Sequence, residues 1–226
     1  MKRVITVLLA VLLVLSLAAC GSRVETKKLA GTWTCTVDAT DRMNAAAEQA
    51  LGLSAADGTA QMPLQLVLTV TEDGAYTLRY DSDAVRTALD AYAAALHPAA
   101  VESVYAAAEE QGLSREEYDA AMEKAGITMD DMVAAIFAGV DEEELLSLLT
   151  GRSAALTGYC RAESGQLYLA DTAADLTETA DCLSYTLSDG TMTWTDAQGE
   201  LSSQLTEEEQ ELLRVPLTWT KQEESK

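Results

Sequence analysis

The chain has 226 residues, with 37 acidic and 15 basic side chains and a formal net charge of −22 at pH 7. A body this acidic repels phosphate backbones, so we expect no nucleic-acid partner. The single histidine also leaves the chain without the clustered His and Cys residues that zinc sites usually need.

The first residues have the layout of a secretory signal. Two basic residues precede an apolar run, 4–15, which is shorter than the roughly 20 residues of a membrane-spanning helix. Leu17-Ala18-Ala19-Cys20 closes this segment and resembles the lipobox of bacterial lipoproteins. The resemblance implies removal of residues 1–19 as a signal peptide and lipidation of Cys20, with the protein on the extracytoplasmic face of the cell membrane. The alternative is an ordinary secreted protein.

Residues 20–28 are expected to form a lipid-anchored tether. Its eight residues after Cys20 reach about 26 Å when fully extended, so the folded body would stay close to the membrane. Arg23, Lys27 and Lys28 can each add about 1 kcal/mol of attraction to anionic lipid. The body, residues 29–226, carries −26 once the +2 of the signal peptide and the +2 of the tether are set aside. We interpret this acidity as a source of solubility.

Alternating apolar and polar residues, typical of half-buried strands, occur at both ends of the mature chain. Turn signals separate several of these runs, as at Asp73-Gly74, Ser164-Gly165 and Asp189-Gly190. We predict eight strands, at residues 32–37, 64–70, 76–80, 156–162, 166–170, 182–187, 191–195 and 215–220. Because an open sheet of this size exposes two edges, we predict an α+β fold with a closed antiparallel barrel.

Helical patterns occupy the middle of the chain. A short helix is predicted at 41–51, ended by Gly52, and a helical insertion at 83–150. Within the insertion, a glycine stop and a new N-cap recur three times, in Gly112-Leu113-Ser114, Gly126-Ile127-Thr128 and Gly139-Val140-Asp141. An acidic residue three positions after each cap suits a capping box. We predict three short helices there, two earlier helices separated at His97-Pro98, and another helix from Thr206.

The strand regions carry a second resemblance. Leu29-Ala30-Gly31-Thr32-Trp33 opens the first strand, Glu72–Leu78 forms the first hairpin, and Gly165–Leu169 opens a later strand. Together these segments resemble the lipocalin-like barrels of bacterial surface lipoproteins. The resemblance implies one eight-stranded lipocalin-like domain over residues 29–226, with a bundle of short helices inserted at 83–150. The resemblance therefore predicts the fold of the chain rather than a particular activity.

Three cysteines, Cys35, Cys160 and Cys182, remain in the mature chain. On the predicted strand order none of them lies on directly neighbouring strands, and a disulfide needs Cα atoms within about 7 Å. We therefore expect buried, unpaired thiols that behave as small apolar residues. A Cys160–Cys182 bridge is the alternative.

No catalytic motif is recognisable. His97 stands alone beside a proline, which is typical of a capping or surface residue. The acidic clusters Asp130-Asp131 and 142–144 are explained by helix capping. A calcium-binding site is the alternative interpretation of these clusters. We predict that the protein is not an enzyme and has no cofactor or metal.

Alternation directs Trp33, Tyr76, Tyr80 and Met192 towards the barrel interior, and these four are our candidate ligand-binding residues. An eight-stranded barrel is either filled by its own side chains or holds one small ligand. We predict a non-enzymatic binding module for a small apolar or amphipathic ligand. The alternative is a surface or envelope protein-protein interaction module without a small ligand, which a filled interior would favour.

Overall fold

The structure is a computed structural model that describes residues 25–53, 60–137, 147, 155–177, 180–198 and 213–223. The predicted signal peptide, Cys20, the third predicted cap at 139–145 and the helix predicted from Thr206 lie outside the described residues. The chain divides into two compact units. The first comprises residues up to 35, 66–80 and those from 154 onwards, and the second comprises 36–65 and 81–153.

Eight antiparallel strands close into a barrel in which each strand pairs with the next, so the predicted lipocalin-like barrel with inserted helices is confirmed. The closing ladder joins β1 to β8, with Trp33 opposite Lys221 and Thr34 opposite Thr220. All eight predicted strands form, with small shifts at their ends. They are β1 Gly31–Asp38, β2 Pro63–Val70, β3 Ala75–Tyr80, β4 Leu156–Glu163, β5 Gln166–Ala170, β6 Asp181–Ser188, β7 Thr191–Gln198 and β8 Leu217–Lys221.

Alternate residues of each strand fill the barrel. In β8, for example, Leu217 and Trp219 are buried while Thr218 and Thr220 are exposed. The same two-residue period on the other strands directs apolar side chains inward, because successive residues of a strand point to opposite faces. The interior residues of the first unit include Trp33, Leu66, Leu68, Tyr76, Leu78, Cys160, Ala162, Leu167, Leu169, Leu183, Met192, Trp194, Leu217 and Trp219.

A helical segment, residues 25–29, precedes the barrel and packs on it. The backbone N–H of Ala162 donates to the Thr26 hydroxyl oxygen over 2.9 Å, and Thr26 is only 5% exposed. Part of the predicted tether, residues 25–28, therefore belongs to the folded first unit.

The second unit contains four helices among its described residues: α1 Thr40–Leu51, α2 Ser82–Glu110, α3 Arg115–Ala125 and α4 Met129–Phe137. Gly52 ends α1 in the left-handed conformation, as predicted. Leu53, Ala100 and Val133 form a small buried cluster that brings the end of α1 together with α2 and α4.

Two of the three predicted helix caps are confirmed, and the third lies outside the described residues. Ser114 and Glu117 form a complete capping box at the start of α3, and left-handed Gly126 ends that helix. At the start of α4, the backbone N–H of Asp131 donates to the Thr128 hydroxyl oxygen (3.1 Å), while the Thr128 backbone N–H donates to the Asp131 carboxylate (2.9 Å). The repeated glycine-and-cap pattern therefore specifies real helix boundaries.

The break predicted at His97-Pro98 is wrong, because α2 runs through Pro98 as one helix of 29 residues. A proline inside a helix lacks the N–H donor and ordinarily costs about 3 kcal/mol. The buried side chains on either side, Leu96 at 1% exposure and Ala100 at 0%, explain why the helix continues. Ala100 packs with Leu53 and Val133 of the second unit, and burial on both sides of Pro98 outweighs the local preference to stop.

The three described cysteines are thiols, and no disulfide joins them. Cys160 of β4 lies opposite Leu169 on the inner face, whereas Cys182 of β6 lies opposite Tyr168 on the outer face. The alternative Cys160–Cys182 bridge is therefore absent, because the two side chains lie on opposite sides of the barrel wall. Burial raises the pKa of the Cys160 thiol to about 12 and also raises the pKa of Cys35.

No helix in the described part of the chain combines the length and the apolar character needed to cross a membrane.

Candidate functional site

Trp33 lies at the start of β1 and is completely buried inside the barrel. Its indole Nε1–H donates to the backbone carbonyl of Leu29 over 2.7 Å. The Lys221 ammonium lies 5.3 Å from the centre of the indole ring. Gly31 has a φ of +127°, and a Cβ at that position would meet the Lys221 side chain, so a residue with a side chain would be strained there. These contacts explain the Gly-x-Trp spacing physically.

Of the other three candidate residues, Met192 and Tyr76 lie near the same end of the barrel as Trp33, and Tyr80 lies towards the other end. Met192 on β7 is completely buried and lies opposite Trp219 of β8. Tyr76 is 5% exposed, and its ring occupies the space left by the missing side chain of Gly158. Tyr80 lies at the far end of β3 from Tyr76 and is half-buried. The structure thus directs Trp33, Tyr76 and Met192 into the interior, with Tyr80 nearer the opposite end.

The interior around Trp33 and Met192 is filled by side chains. A side chain with no exposed surface touches no space large enough for a water molecule, whether that space is outside the protein or enclosed within it. Trp33, Ala162, Leu183, Met192 and Trp219 all have 0% exposure. Protein interiors of this kind are close-packed, so these residues have no free surface to offer a ligand.

Trp219, which the sequence reasoning placed on a strand but not in the interior, is part of this packing. Its ring centroid lies 4.8 Å from that of Trp194, with the planes tilted by 48°. Neither indole Nε1–H has a hydrogen-bond partner among the described residues. The alternation of Leu217, Thr218 and Trp219 in β8 is the signal that would have placed Trp219 in the interior.

An open cleft of about 570 Å³ lies within the second unit. Its volume is in the range of small-molecule sites. Alanines dominate the α2 side, since the first turns of that helix present small residues to the cleft. All lining residues are uncharged: Thr36, Gln61, Pro63 and Gln65 on one side, and Ala84, Thr87, Ala88 and Ala91 on the other. Sequence reasoning missed this site, because no local pattern marks it.

Hydrogen bonds fix the start of α2 beside the cleft. The Asp81 carboxylate caps the helix by accepting from the Ala84 backbone N–H (3.1 Å), and the Asp81 backbone N–H donates to the Gln65 carbonyl (2.8 Å). Further along, the Tyr92 hydroxyl donates to the Asn44 side chain of α1 over 2.7 Å. Hydrogen bonds between separate parts of the chain therefore help to position the walls of the cleft.

The charged residues of the insertion join its helices together. Arg115 of α3 binds Glu102 and Glu109 of α2, at 2.7 and 3.2 Å, and lies 4.7 Å from the centre of the Tyr105 ring. The hydrogen bond from the Tyr105 hydroxyl to the Asp119 carboxylate raises the tyrosine's pKa. This network ties α3 to α2.

His97, predicted to be a capping or surface residue, lies 3.0 Å from Asp130 of α4, with 41% of its side chain exposed. The surface position agrees with the prediction. Within the described residues, no group of three His, Cys, Asp or Glu side chains is placed to hold a metal ion.

No protein-family model, no curated protein and no solved structure matches this chain.

Proposed function

We propose that the protein is a lipid-anchored lipoprotein on the extracytoplasmic face of the membrane and that it acts as a non-enzymatic interaction module for another envelope or surface protein. The barrel serves as a packed scaffold in this proposal. The observation that carries it is the complete burial of Trp33, Met192 and Trp219, which leaves no space for a small ligand against Trp33 and Met192, two of the four predicted binding residues. The alternative interpretation of the sequence is therefore better supported than ligand storage inside the barrel.

The proposed anchor rests on the lipobox-like sequence ending at Cys20. Acylation would add enough apolar surface for stable attachment when two or more chains are present. Intact-mass measurement of the purified protein should give a chain that begins at Cys20 and carries acyl groups, and Cys20→Ser should leave the membrane fraction. An unmodified full-length chain in the cytosol would contradict the anchor.

The helical insertion offers the surface for a partner. Leu113 and Ile127, which precede the caps of α3 and α4, are 40% and 41% exposed. The described part of the insertion, residues 83–137, contains eleven acidic and three basic side chains. The two aliphatic side chains lie at opposite ends of α3, so a partner that spans this helix would bury both of them. A basic surface on that partner would complement the acidic charge of the insertion.

A photo-crosslinking experiment in the intact cell tests the interaction. A photoreactive amino acid at Leu113 or Ile127 should give a discrete adduct of higher mass, whereas the same group at Thr157, exposed on β4, should not. Leu113→Ser together with Ile127→Ser should weaken recovery of that partner. No adduct at either insertion position, or the same adducts from all three positions, would count against the proposal.

The cleft supports a second candidate function, the binding of a small uncharged amphipathic molecule. Its alanines and Pro63 suit an apolar moiety, and Gln61, Gln65 and the threonines can hydrogen-bond a polar one. Native mass spectrometry of the mature protein should then show a small bound molecule. Ala91→Leu, which fills the cleft, should abolish it, and Ala94→Leu, exposed on the same helix, should not. Retention by both variants would exclude this site.

A further inference from the structure

One end of the barrel is covered by the N-terminal helical segment, residues 25–29, and we name it the capped end. Here β1 begins, β8 finishes, and three turns lie, at residues 71–74, 164–165 and 189–190. We infer that the capped end faces the lipid bilayer that holds the protein and that its turns are a membrane-contacting surface. This inference rests on the lipidated Cys20 of the proposed function.

The first step of the argument is that the segment is fixed to the β4–β5 hairpin. The Ser164 backbone N–H donates to the Glu25 carboxylate over 2.7 Å, and the Ala162 backbone N–H donates to the Thr26 hydroxyl oxygen over 2.9 Å. Thr26 is buried at 5% exposure. The helical segment therefore has a defined place on the barrel from Glu25 onwards.

Two further contacts hold the same segment. Leu29 is 1% exposed, and its carbonyl oxygen accepts the indole N–H of Trp33. The Lys27 ammonium lies 3.4 Å from the Glu72 carboxylate in the β2–β3 turn. Contacts to two hairpins and to β1 prevent the segment from swinging away as a free linker would.

The second step is the length of chain to the anchor. Only four residues separate Cys20 from Glu25, so their Cα atoms are at most about 17 Å apart even when the chain is fully extended. By comparison, the eight residues of β4 span about 26 Å along the strand. The tilt of strands in such a barrel leaves its two ends roughly 20 Å apart. An anchor at Cys20 therefore brings the capped end, rather than the opposite end, to the membrane.

The charge of the capped end is compatible with a position at the bilayer. The described residues there are mixed in sign, with three lysines (27, 28 and 221) and six carboxylates (25, 72, 73, 163, 189 and 223). Their net charge is only −3, so an anionic bilayer surface repels this end weakly.

Fluorescence quenching in vesicles tests the orientation. The mature, acylated protein with Cys182→Ser is reconstituted in phosphatidylcholine–phosphatidylglycerol vesicles that contain headgroup-spin-labelled lipid. A thiol-reactive fluorophore is attached to Ser188→Cys at the capped end or to Asp171→Cys after β5 at the opposite end, both exposed positions. Quenching should be about twofold or more stronger at position 188, because the two ends are separated by the strand length.

The outcomes separate this inference from the proposed function. Acylated protein that floats with the vesicles but is quenched equally at both positions, more at 171, or at neither, overturns the orientation and leaves the anchor intact. Protein that carries no acyl group and does not float overturns both.

Loosening the helical segment provides a second readout. Glu25→Ala with Thr26→Val removes both acceptors that hold the segment to β4–β5, so the ratio of quenching at 188 to that at 171 should fall towards one while flotation is unchanged. Thr195→Val, on the exposed face of β7, is the matched control and should keep the ratio. An unchanged ratio in a loosened variant that retains its barrel circular dichroism would show that the segment does not orient the protein.

Discussion

The Lys221 ammonium lies 5.3 Å from the centre of the Trp33 ring, and the two residues face each other in the ladder that closes the barrel. The Lys221 methylene groups also occupy the place that a side chain at Gly31 would take. One lysine therefore covers the buried tryptophan at the seam between the first and last strands, with its stem in apolar contact and its charge over the ring.

We expect the apolar stem of Lys221 to contribute more than its charge. Lys221→Met keeps most of the stem and should lower the free energy of unfolding by about 1 kcal/mol through loss of the cation–π contact. Lys221→Ala also uncovers Trp33 and should cost clearly more. Urea unfolding followed by tryptophan fluorescence measures both, and equal losses in the two variants would contradict a role for the stem.

Gly74 should be far less replaceable than Gly126, although both have positive φ values, of 90° and 70°. A Cβ at Gly74 would overlap the Cys160 carbonyl oxygen, whereas nothing lies within 4 Å of the position at Gly126. Gly126→Ala should cost about 1 kcal/mol, the usual strain of a left-handed residue with a side chain. Gly74→Ala should cost several-fold more or prevent barrel formation. Thermal unfolding compares the two, and similar melting temperatures would refute the overlap.

The capping box at Ser114 should be visible in an acid titration. The Glu117 carboxylate accepts hydrogen bonds from the Ser114 backbone N–H (2.9 Å) and hydroxyl (2.8 Å), and these lower its pKa. Its contribution to stability is therefore present above the pKa of an unfolded glutamate and is lost as the pH falls through the lower folded value. NMR titration of Ser114→Ala should show the Glu117 pKa rising towards its ordinary value.

Ser103→Ala, in an exposed part of α2, is the control for this measurement. It should leave the Glu117 pKa unchanged. A Glu117 pKa that does not move in Ser114→Ala would mean that the serine hydroxyl does not stabilise the carboxylate.

The cysteines should differ in reactivity. Burial raises the pKa of Cys160 to about 12, so almost none of this thiol is ionised at about pH 8. Cys182 is half-exposed on the outer face of the wall. Iodoacetamide at that pH should therefore modify Cys182 in the native protein and Cys160 only after unfolding, as read by peptide mass mapping. Early modification of Cys160 would contradict its placement in the interior.

The barrel could be predicted because its signals are local. Each strand carries a two-residue period, and turns such as Asp189-Gly190 mark where the chain reverses. Ser114 and Thr128 likewise mark the starts of α3 and α4 through capping patterns that extend over only a few residues. The continuation of α2 through Pro98 had no such signal, since it depends on the burial of Leu96 and Ala100 by residues distant in sequence.

The site was harder to predict for the same reason. Alternation correctly directs Trp33 and Met192 inward, but it does not tell whether neighbouring side chains leave space around them. The packing of residues 25–28 on the barrel could not be predicted from local sequence either, because the Thr26 hydroxyl accepts its hydrogen bond from Ala162, 136 positions away. The uncharged cleft depends on three separate parts of the chain, Thr36, 61–65 and 84–91, coming together around it.

The pairing of Trp33 with Lys221 joins residues 188 positions apart. Contacts between such distant residues form slowly, because the intervening chain must first lose much of its freedom. A ribosome or translocation channel must therefore release nearly the whole polypeptide before the ring can close. Until then the backbone N–H and C=O groups along one edge of β1 are unpaired and can pair with strands of other chains. We therefore expect nascent or truncated forms that lack the final strand to aggregate and to need chaperones.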